Sequence, residues 1–380
     1  LGFYYVGPID GHSLHALLDA LAIARDSDRP ILLHVSTEKG KGYSFAEEQP
    51  EKWHGAPKFD IVSGEPVAPS DRPTYSSVLG ATLQRLAEQD KTIMAITAGM
   101  AAGTGLSEFA RRFPDRFFDV GISEEHAVIF AAGMAAEGLK PVFAVYSTFL
   151  QRGVDCVIHD VCLQDLPVVL CLDRAGIVGD DGPTHHGVFD IPLLRPVPGL
   201  IMMQPKDEAE FAHMLFTAFR LEKPVVIRYP RGAGTGAPLP AQFQDLPLGQ
   251  AEILRPGTGL QIWALGDMIP LAQDIAALLA REHGAKAGVV NPRFIRPLDE
   301  AMLVKQTADT KLFVTLENGA VTGGFGSGVE EALRKNGFVG RVLKFGWPNE
   351  FIPHGSQESL MNKYGLTSRA IAAAIVKAGI

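Results

Sequence analysis

The chain has 380 residues, 46% of them hydrophobic, with 35 Lys and Arg against 43 Asp and Glu for a formal charge of −8. At roughly 100–200 residues per domain, that length implies two or three domains with ordinary buried cores. The acidic balance argues against wholesale nucleic-acid binding, so any phosphate must be held by a few placed arginines; no apolar run approaches the ~18 residues of a membrane span.

The sequence opens "LGFYYVGPIDGH", with no initiator Met and no charged leader, which implies a start inside a domain. Residues 1–60 read as the tail of an α/β unit. Leu14, Leu17, Leu18 and Leu21 fall at i, i+3, i+4 and i+7, one face of a helix. "PILLHVST" predicts a buried strand and "EKGKGYS" a loop at its C-terminal end. The Pro-, Gly- and Ser-rich stretch 61–73 predicts a linker. Residues 74–232 then alternate: helix 74–89, strand "TIMAIT", strand "RFFDVGI", helix 124–137, strand "PVFAVYS", a helix near 150–163, strand "PVVLCLD", helix 207–221 and strand "PVVIRYP". Short apolar strands alternating with helices predict an α/β fold, parallel sheets with helices on both faces, whose ligands sit at the C-terminal ends of the strands. A second linker is expected at 233–248.

Residues 249–380 repeat the pattern with "QIWALG", helix 270–283, "AGVVN", "KLFVTLEN", "GGFGSGVEEALRK" and "RVLKFG". Gly324, Gly326 and Gly328 imitate a dinucleotide loop after a strand. No acidic residue follows about twenty positions on, so close strand–helix packing is the favoured reading. Cys156, Cys162 and Cys171 lie in or beside apolar segments without a CxxC pair. They read as buried free thiols in a reducing cytoplasm.

If ligands sit at strand ends, the informative residues follow each strand. They are Lys39 and His54; Glu124; Tyr146, Phe149 and Arg152; Arg174, Asp181 and His185; and Arg231. Ser123 is the expected N-cap of the helix that Glu124 begins. Two glutamates in a first turn either complement the helix dipole or put a carboxyl into a cleft. Arginines on separate strand ends suit a phosphate monoester, because the guanidinium fork matches phosphate oxygens, although surface salt bridges are the commoner use of arginine. The stretch 173–187, "DRAGIVGDDGPTHHG", offers Asp180, Asp181, His185 and His186. Adjacent DD and HH pairs point apart in most backbones, so a polar loop with one functional histidine is favoured over a metal site.

Together these segments resemble a known family. "GPIDGH", "KGKGY" and "WHGAPKFD" look like the end of the first domain of the 1-deoxy-D-xylulose-5-phosphate synthase family. "DVGISEEHAV", "YSTFLQRGVDCVIHDV", "DRAGIVGDDGPTHHGVFD" and "RYPRG" look like its second domain, and "LGDM", "NPRFIRPLD", "ENG" and "GGFGS" like its third. The resemblance implies a thiamine-diphosphate-binding fold plus a transketolase C-terminal-like domain. Residues 1–60 would be the tail of the diphosphate-binding domain, 74–232 the pyrimidine-binding domain and 249–380 the C-terminal domain.

It implies a transferase that condenses pyruvate with D-glyceraldehyde 3-phosphate, with loss of CO2, to give 1-deoxy-D-xylulose 5-phosphate, a precursor of isoprenoids, thiamine and pyridoxal. It also implies a cytoplasmic homodimer. Glu124 falls at the position of the glutamate that hydrogen-bonds the cofactor's aminopyrimidine N1′. Phe149 would lie against that ring and Ile122 would bend the cofactor. Arg174, Arg231 and Tyr146 would hold the acceptor phosphate, with Arg152 nearby. Asp181, His185, His54 and Lys39 would contact substrate oxygens or move protons. Asp180 and His186 receive no role.

The family's Mg2+-binding "GDG…N" motif has no match here. "GDDG" at 179–182 belongs to the acceptor loop, and "GDM" at 266–268 lacks the second Gly. The expectation is a chain matching the C-terminal three-fifths of the enzyme, whose Mg2+ ligands lie in an N-terminal segment or companion chain, and which alone does not hold thiamine diphosphate tightly. The alternatives are a β subunit of a 2-oxo acid dehydrogenase, a transketolase C-terminal chain, and a non-catalytic dimerisation or regulatory module.

Overall fold

The computed structural model describes residues 2–50, 53–56, 58–67 and 72–379. The chain divides into two compact units, Leu1–Asp71 and Arg72–Ile380.

In the first unit, β1 (Tyr4–Asp10) and β2 (Ile31–Ser36) pair in parallel across the helix Leu14–Arg25. Ser13 caps that helix, its Oγ accepting from the Ala16 N–H. The leucine face forms as expected but is not buried: Leu14, Leu18 and Leu21 are exposed, and so are Leu32 and Val35 of β2. A two-stranded sheet with one helix has too little surface to cover both faces, and from the helix it buries only Ala20. Farther on, Trp53 meets Tyr43 and Phe59 edge-on, with ring centroids 5.1 and 4.5 Å apart. In the expected linker 61–73, residues 61–67 turn back on Phe59 through a bridge to Pro66; residues 68–71 lie outside the described residues.

The second unit holds twelve strands in two sheets: β3 (Ile93–Thr97), β4 (Phe117–Asp119), β5 (Lys140–Tyr146), β6 (Val169–Asp173), β7 (Ile201–Met203), β8 (Val225–Arg228), β9 (Glu252–Arg255), β10 (Gly259–Ala264), β11 (Gly288–Asn291), β12 (Phe294–Arg296), β13 (Thr310–Ala320) and β14 (Arg341–Trp347). The seven-stranded sheet runs β12-β7-β8-β6-β5-β3-β4 and the five-stranded sheet β14-β13-β10-β11-β9. β6, β7 and β8 are buried at every position, which is why they read as unbroken apolar runs rather than alternating ones.

Two features differ from the expectation of purely parallel sheets. β9 is an antiparallel edge, and β12, from the stretch assigned to the last domain, pairs antiparallel with β7 in the other sheet. One apolar core accordingly runs through both sheets, joining Leu172 and Val226 to Ile295, Trp263 and Phe313. The helix expected near 150–163 is a composite of a 3-10 segment Phe149–Gly153, one α-turn Val154–Cys156 and a π segment Val157–Cys162. Cys156 and Cys171 are buried and Cys162 half-buried, all three as free thiols; burial pushes the Cys162 thiol up to about 11.

The glycine-rich turn at 323–328 is a packing device. Gly324 precedes the helix Phe325–Lys335, where a Cβ would overlap the Ala320 carbonyl and the Glu317 carboxylate. The buried Glu317 carboxylate itself accepts from the N–H groups of Phe325 (2.7 Å) and Gly326 (2.8 Å). The helix N-terminus, where a dinucleotide phosphate would bind, is already occupied by this carboxyl group.

Candidate active site

In the seven-stranded sheet the chain lays β4 on one side of β3 and returns to lay β5 on the other. Such a switch point opens a crevice beyond the strand C-termini. Asp119 at the end of β4 ties two of its loops together, its Oδ1 accepting from Gly99 (2.7 Å) and Gly121 (3.0 Å). Tyr146 ties in β5, its N–H donating to Met100 Sδ.

Four of the expected residues gather there. The Tyr146 ring stacks on Phe149 at 5.6 Å, and His185 meets Phe149 edge-on at 5.3 Å. The Arg174 guanidinium lies 3.7 Å from the Tyr146 ring centroid, a cation–π contact in a half-buried setting. Burial pushes the Tyr146 phenol up, opposed by the Arg174 charge. Arg174 adopts a left-handed backbone (φ +60°), and its Nη1 donates to Gly103 O at 3.0 Å and lies 3.2 Å from Asp173 Oδ1.

Asp173 is fully buried and accepts from Ser76 Oγ at 2.6 Å. Its carboxyl is pushed up to about 6 by burial, against the pull of Arg174. Sequence reasoning passed over it, although an acid ending an apolar strand was the available signal. Asp181 pairs with Arg231 at 3.4 Å, and Arg231 also donates to Val178 O. Thr184 Oγ1 lies 2.9 Å from His185 Nδ1.

Glu124 opens the helix Glu124–Ala136 and is only 2% exposed. Ser123 stands at the N-cap, as expected from its position, but its side chain makes no capping bond. Arg152 Nη1 donates to Glu124 Oε2 at 2.8 Å and its Nη2 to Glu125 at 3.4 Å. The guanidinium expected near an acceptor phosphate is thus matched by two carboxylates of its own. No hydrogen bond from a described residue reaches Glu124 Oε1. Ile122, two residues before Glu124, is 78% exposed.

Lys39 and His54 belong to the first unit, where both are exposed. His186 is buried: its Nδ1 accepts from the Val178 N–H (3.2 Å) and its Nε2 faces Pro353 O (3.3 Å). Burial lowers its pKa, and its role is to fix the loop. The Asp180 side chain lies outside the described residues. Among the described residues no three His, Cys, Asp or Glu gather as metal ligands, and no helix is long and apolar enough to cross a membrane.

Three family descriptions match the chain: "Transketolase, pyrimidine binding domain" over residues 71–235, "Transketolase, C-terminal domain" over 249–371, and "1-deoxy-D-xylulose-5-phosphate synthase" over 1–37. The 1-deoxy-D-xylulose-5-phosphate synthase of Pelotomaculum thermopropionicum is 50% identical over 378 residues, 99% of this chain and 59% of that protein. The chain belongs to the transketolase-type enzymes and is similar over 99% of its length to 1-deoxy-D-xylulose-5-phosphate synthases. The synthase of Desulforudis audaxviator is 53% identical over 97% of this chain and 58% of its own length. The chain thus spans about three-fifths of the synthases it matches. Among solved structures it is similar to a chain titled "Split gene transketolase, inactive beta4 tetramer", at 30% identity and a TM-score of 0.71 over 80% of this chain and 98% of that one. Family members are transketolase-type transferases, and family membership brings thiamine diphosphate and a divalent metal into consideration.

Proposed function

We propose that this chain carries the aminopyrimidine-binding and acceptor-binding parts of a 1-deoxy-D-xylulose-5-phosphate synthase. The reaction joins pyruvate to D-glyceraldehyde 3-phosphate and releases 1-deoxy-D-xylulose 5-phosphate and CO2. The domain reading goes with it: 1–60, 74–232 and 249–380, joined by 61–73 and 233–248, supported by the matched spans 71–235 and 249–371.

The observation that carries the reading is the buried Glu124 carboxylate at the switch point, with one oxygen paired to Arg152 and the exposed Ile122 beside it. That donor set fits an aminopyrimidine ring: a carboxyl to share a proton with N1′, and apolar and aromatic side chains, Ile122 and Phe149, to flank the ring. When bound, thiamine diphosphate supplies the carbanion equivalent that pyruvate decarboxylation requires. Glu124 holds the proton at the ring nitrogen, in a site dry enough for one hydrogen bond to matter. The diphosphate and Mg2+ would be held by residues other than these.

Arg174 and Arg231, with the Tyr146 hydroxyl, offer donors to the acceptor phosphate. Asp181 and His185 face the sugar oxygens; for His54 and Lys39, in the first unit, we propose contacts to substrate oxygens or proton transfer, as the family resemblance implies. Arg152 is better read as the partner of Glu124 than as a phosphate ligand. The protein would act in the cytoplasm as a homodimer; self-association of the similar split-gene transketolase chain, named as a β4 tetramer, supports that reading. The match of residues 1–37 to the synthase's own family favours it over a 2-oxo acid dehydrogenase β subunit.

The test is turnover of pyruvate and D-glyceraldehyde 3-phosphate by the cofactor-loaded protein together with the segment or companion chain that holds the diphosphate and Mg2+. Glu124→Gln should lower it by about 100-fold or more; unchanged turnover in that variant would remove the reading.

A further inference from the structure

The loop that starts at Gly176 and ends at Gly187 is closed at its neck by two backbone hydrogen bonds, Gly176 N–H to Gly187 O (2.7 Å) and Gly187 N–H to Gly176 O (2.8 Å). Asp181 and His185 lie within it, and Arg231 is held to it through Asp181 and Val178. Its own sequence gives it little stiffness: Gly176, Gly179 and Gly182 all have positive φ, and each costs backbone entropy to order. The neck therefore needs an outside grip.

That grip comes from the five-stranded sheet. At the C-terminal end of β13, Asn318 Oδ1 accepts from the Ile177 N–H (3.0 Å) and from Trp347 Nε1 (2.7 Å), while its Nδ2 donates to Asp267 Oδ2 (2.7 Å). Two donors on the oxygen and a carboxylate on the nitrogen fix the amide orientation, because a flip would set N–H against N–H. Asp267 is held in turn by Gln204 Nε2 (2.9 Å), and Arg228 donates to Gln204, to Asp190 (2.7 Å) and to Asn318 O (2.9 Å). Gly176 lies so close that a Cβ there would fall on the Asn318 amide. Two residues along β13, the Ala320 N–H donates to Val188 O (2.8 Å). The end of β13 thus holds both sides of the neck.

We propose that Asn318 is a positioning residue for the acceptor loop, so that the last domain sets the geometry of a site to which it contributes no ligand. The proposal rests on the acceptor-loop reading given above. Asn318 acts through Ile177 and touches no substrate, so its loss should loosen the loop while leaving the Glu124 region unchanged.

Hydrogen–deuterium exchange on the full chain and steady-state kinetics on the cofactor-loaded protein test this with Asn318→Ala and Gly176→Ala, the second of which presses on the amide from the loop side. Amides 177–187 should exchange about tenfold faster or more, consistent with loss of a buried hydrogen bond. The KM for D-glyceraldehyde 3-phosphate should rise about tenfold, with the KM for pyruvate changing less than about twofold. Unchanged exchange at 177–187, or an increase spread evenly over the unit with both KM values moving together, would overturn the proposal. If Asn318→Ala does not fold, Asn318→Ser, which leaves the loop backbone unaltered, decides by the same two outcomes. If the unaltered protein, supplied with the segment that holds the diphosphate and Mg2+, fails to condense the two substrates, the functional reading falls, and exchange confined to 177–187 still decides whether Asn318 holds the loop.

Discussion

Glu124 and Arg174 are charged residues held by opposite means. Glu124 is buried and paired with one half-exposed arginine, whereas Arg174 is wedged between a tyrosine face, a backbone carbonyl and a buried aspartate. Removing the Arg174 guanidinium would leave Asp173 buried beside an apolar gap and take a charge-assisted donor from the acceptor site. Arg174→Ala should therefore raise the KM for the phosphorylated acceptor by the equivalent of about 1.5–3 kcal/mol, read from initial rates against acceptor concentration. His186 makes a prediction of a different kind, since it bonds Val178 and Pro353 and is only 5% exposed. His186→Ala should cost about 1–3 kcal/mol in urea unfolding, because the buried Val178 N–H loses its partner. The sequence marked Arg174 and His185 through a dense motif. It was silent on His186 because Pro353 is 167 residues away, a separation that no local pattern encodes.

Among the elements, the helix Phe325–Lys335 is capped by a carboxylate from the preceding strand rather than by its own N-cap residue. Burial pushes the Glu317 carboxyl up to about 7, against two N–H donors that favour its ionised form. The sign follows from the raised acid. The folded protein keeps this proton to higher pH than the unfolded chain, so its stabilising effect is full below the ordinary glutamate range and is lost as pH rises toward about 7. Over that window the loss is about 3 kcal/mol. Unfolding free energies measured between pH 4.5 and 8 should fall with rising pH, and Glu317→Gln should flatten most of that slope. The buried Asp173, with its carboxyl raised to about 6, leaves a smaller slope of the same sign. Glycine spacing in the sequence indicated packing over nucleotide binding, but the carboxyl group that settles the helix end lies outside the glycine pattern. The leucine face of Leu14–Arg25 was equally legible. Its exposure was not, because periodicity reports which face is apolar and not how many strands lie beneath it.

For the unit Arg72–Ile380 as a whole, the polar links Asp190–Arg228–Gln204–Asp267–Asn318 run between the two sheets with Arg228 fully buried. Breaking such a set from one side leaves charges without partners. Arg228→Ala should lower stability by about 3–5 kcal/mol, and calorimetry should show the loss across the unit's main transition rather than in one sheet, since both share an apolar core. The alternation of strands and helices gave away the two sheets, yet the three-residue β12 was too short to register and its partner β7 lies some ninety positions upstream. That small strand matters to anyone recombining relatives of this protein. A chimera cut at 233–248 would transplant the last domain together with Phe294–Arg296, so the recipient's β7 would have to accept a foreign edge strand. Grafts that carry β7 and β12 as a matched pair should fold, and those that separate them should expose a sticky edge and aggregate.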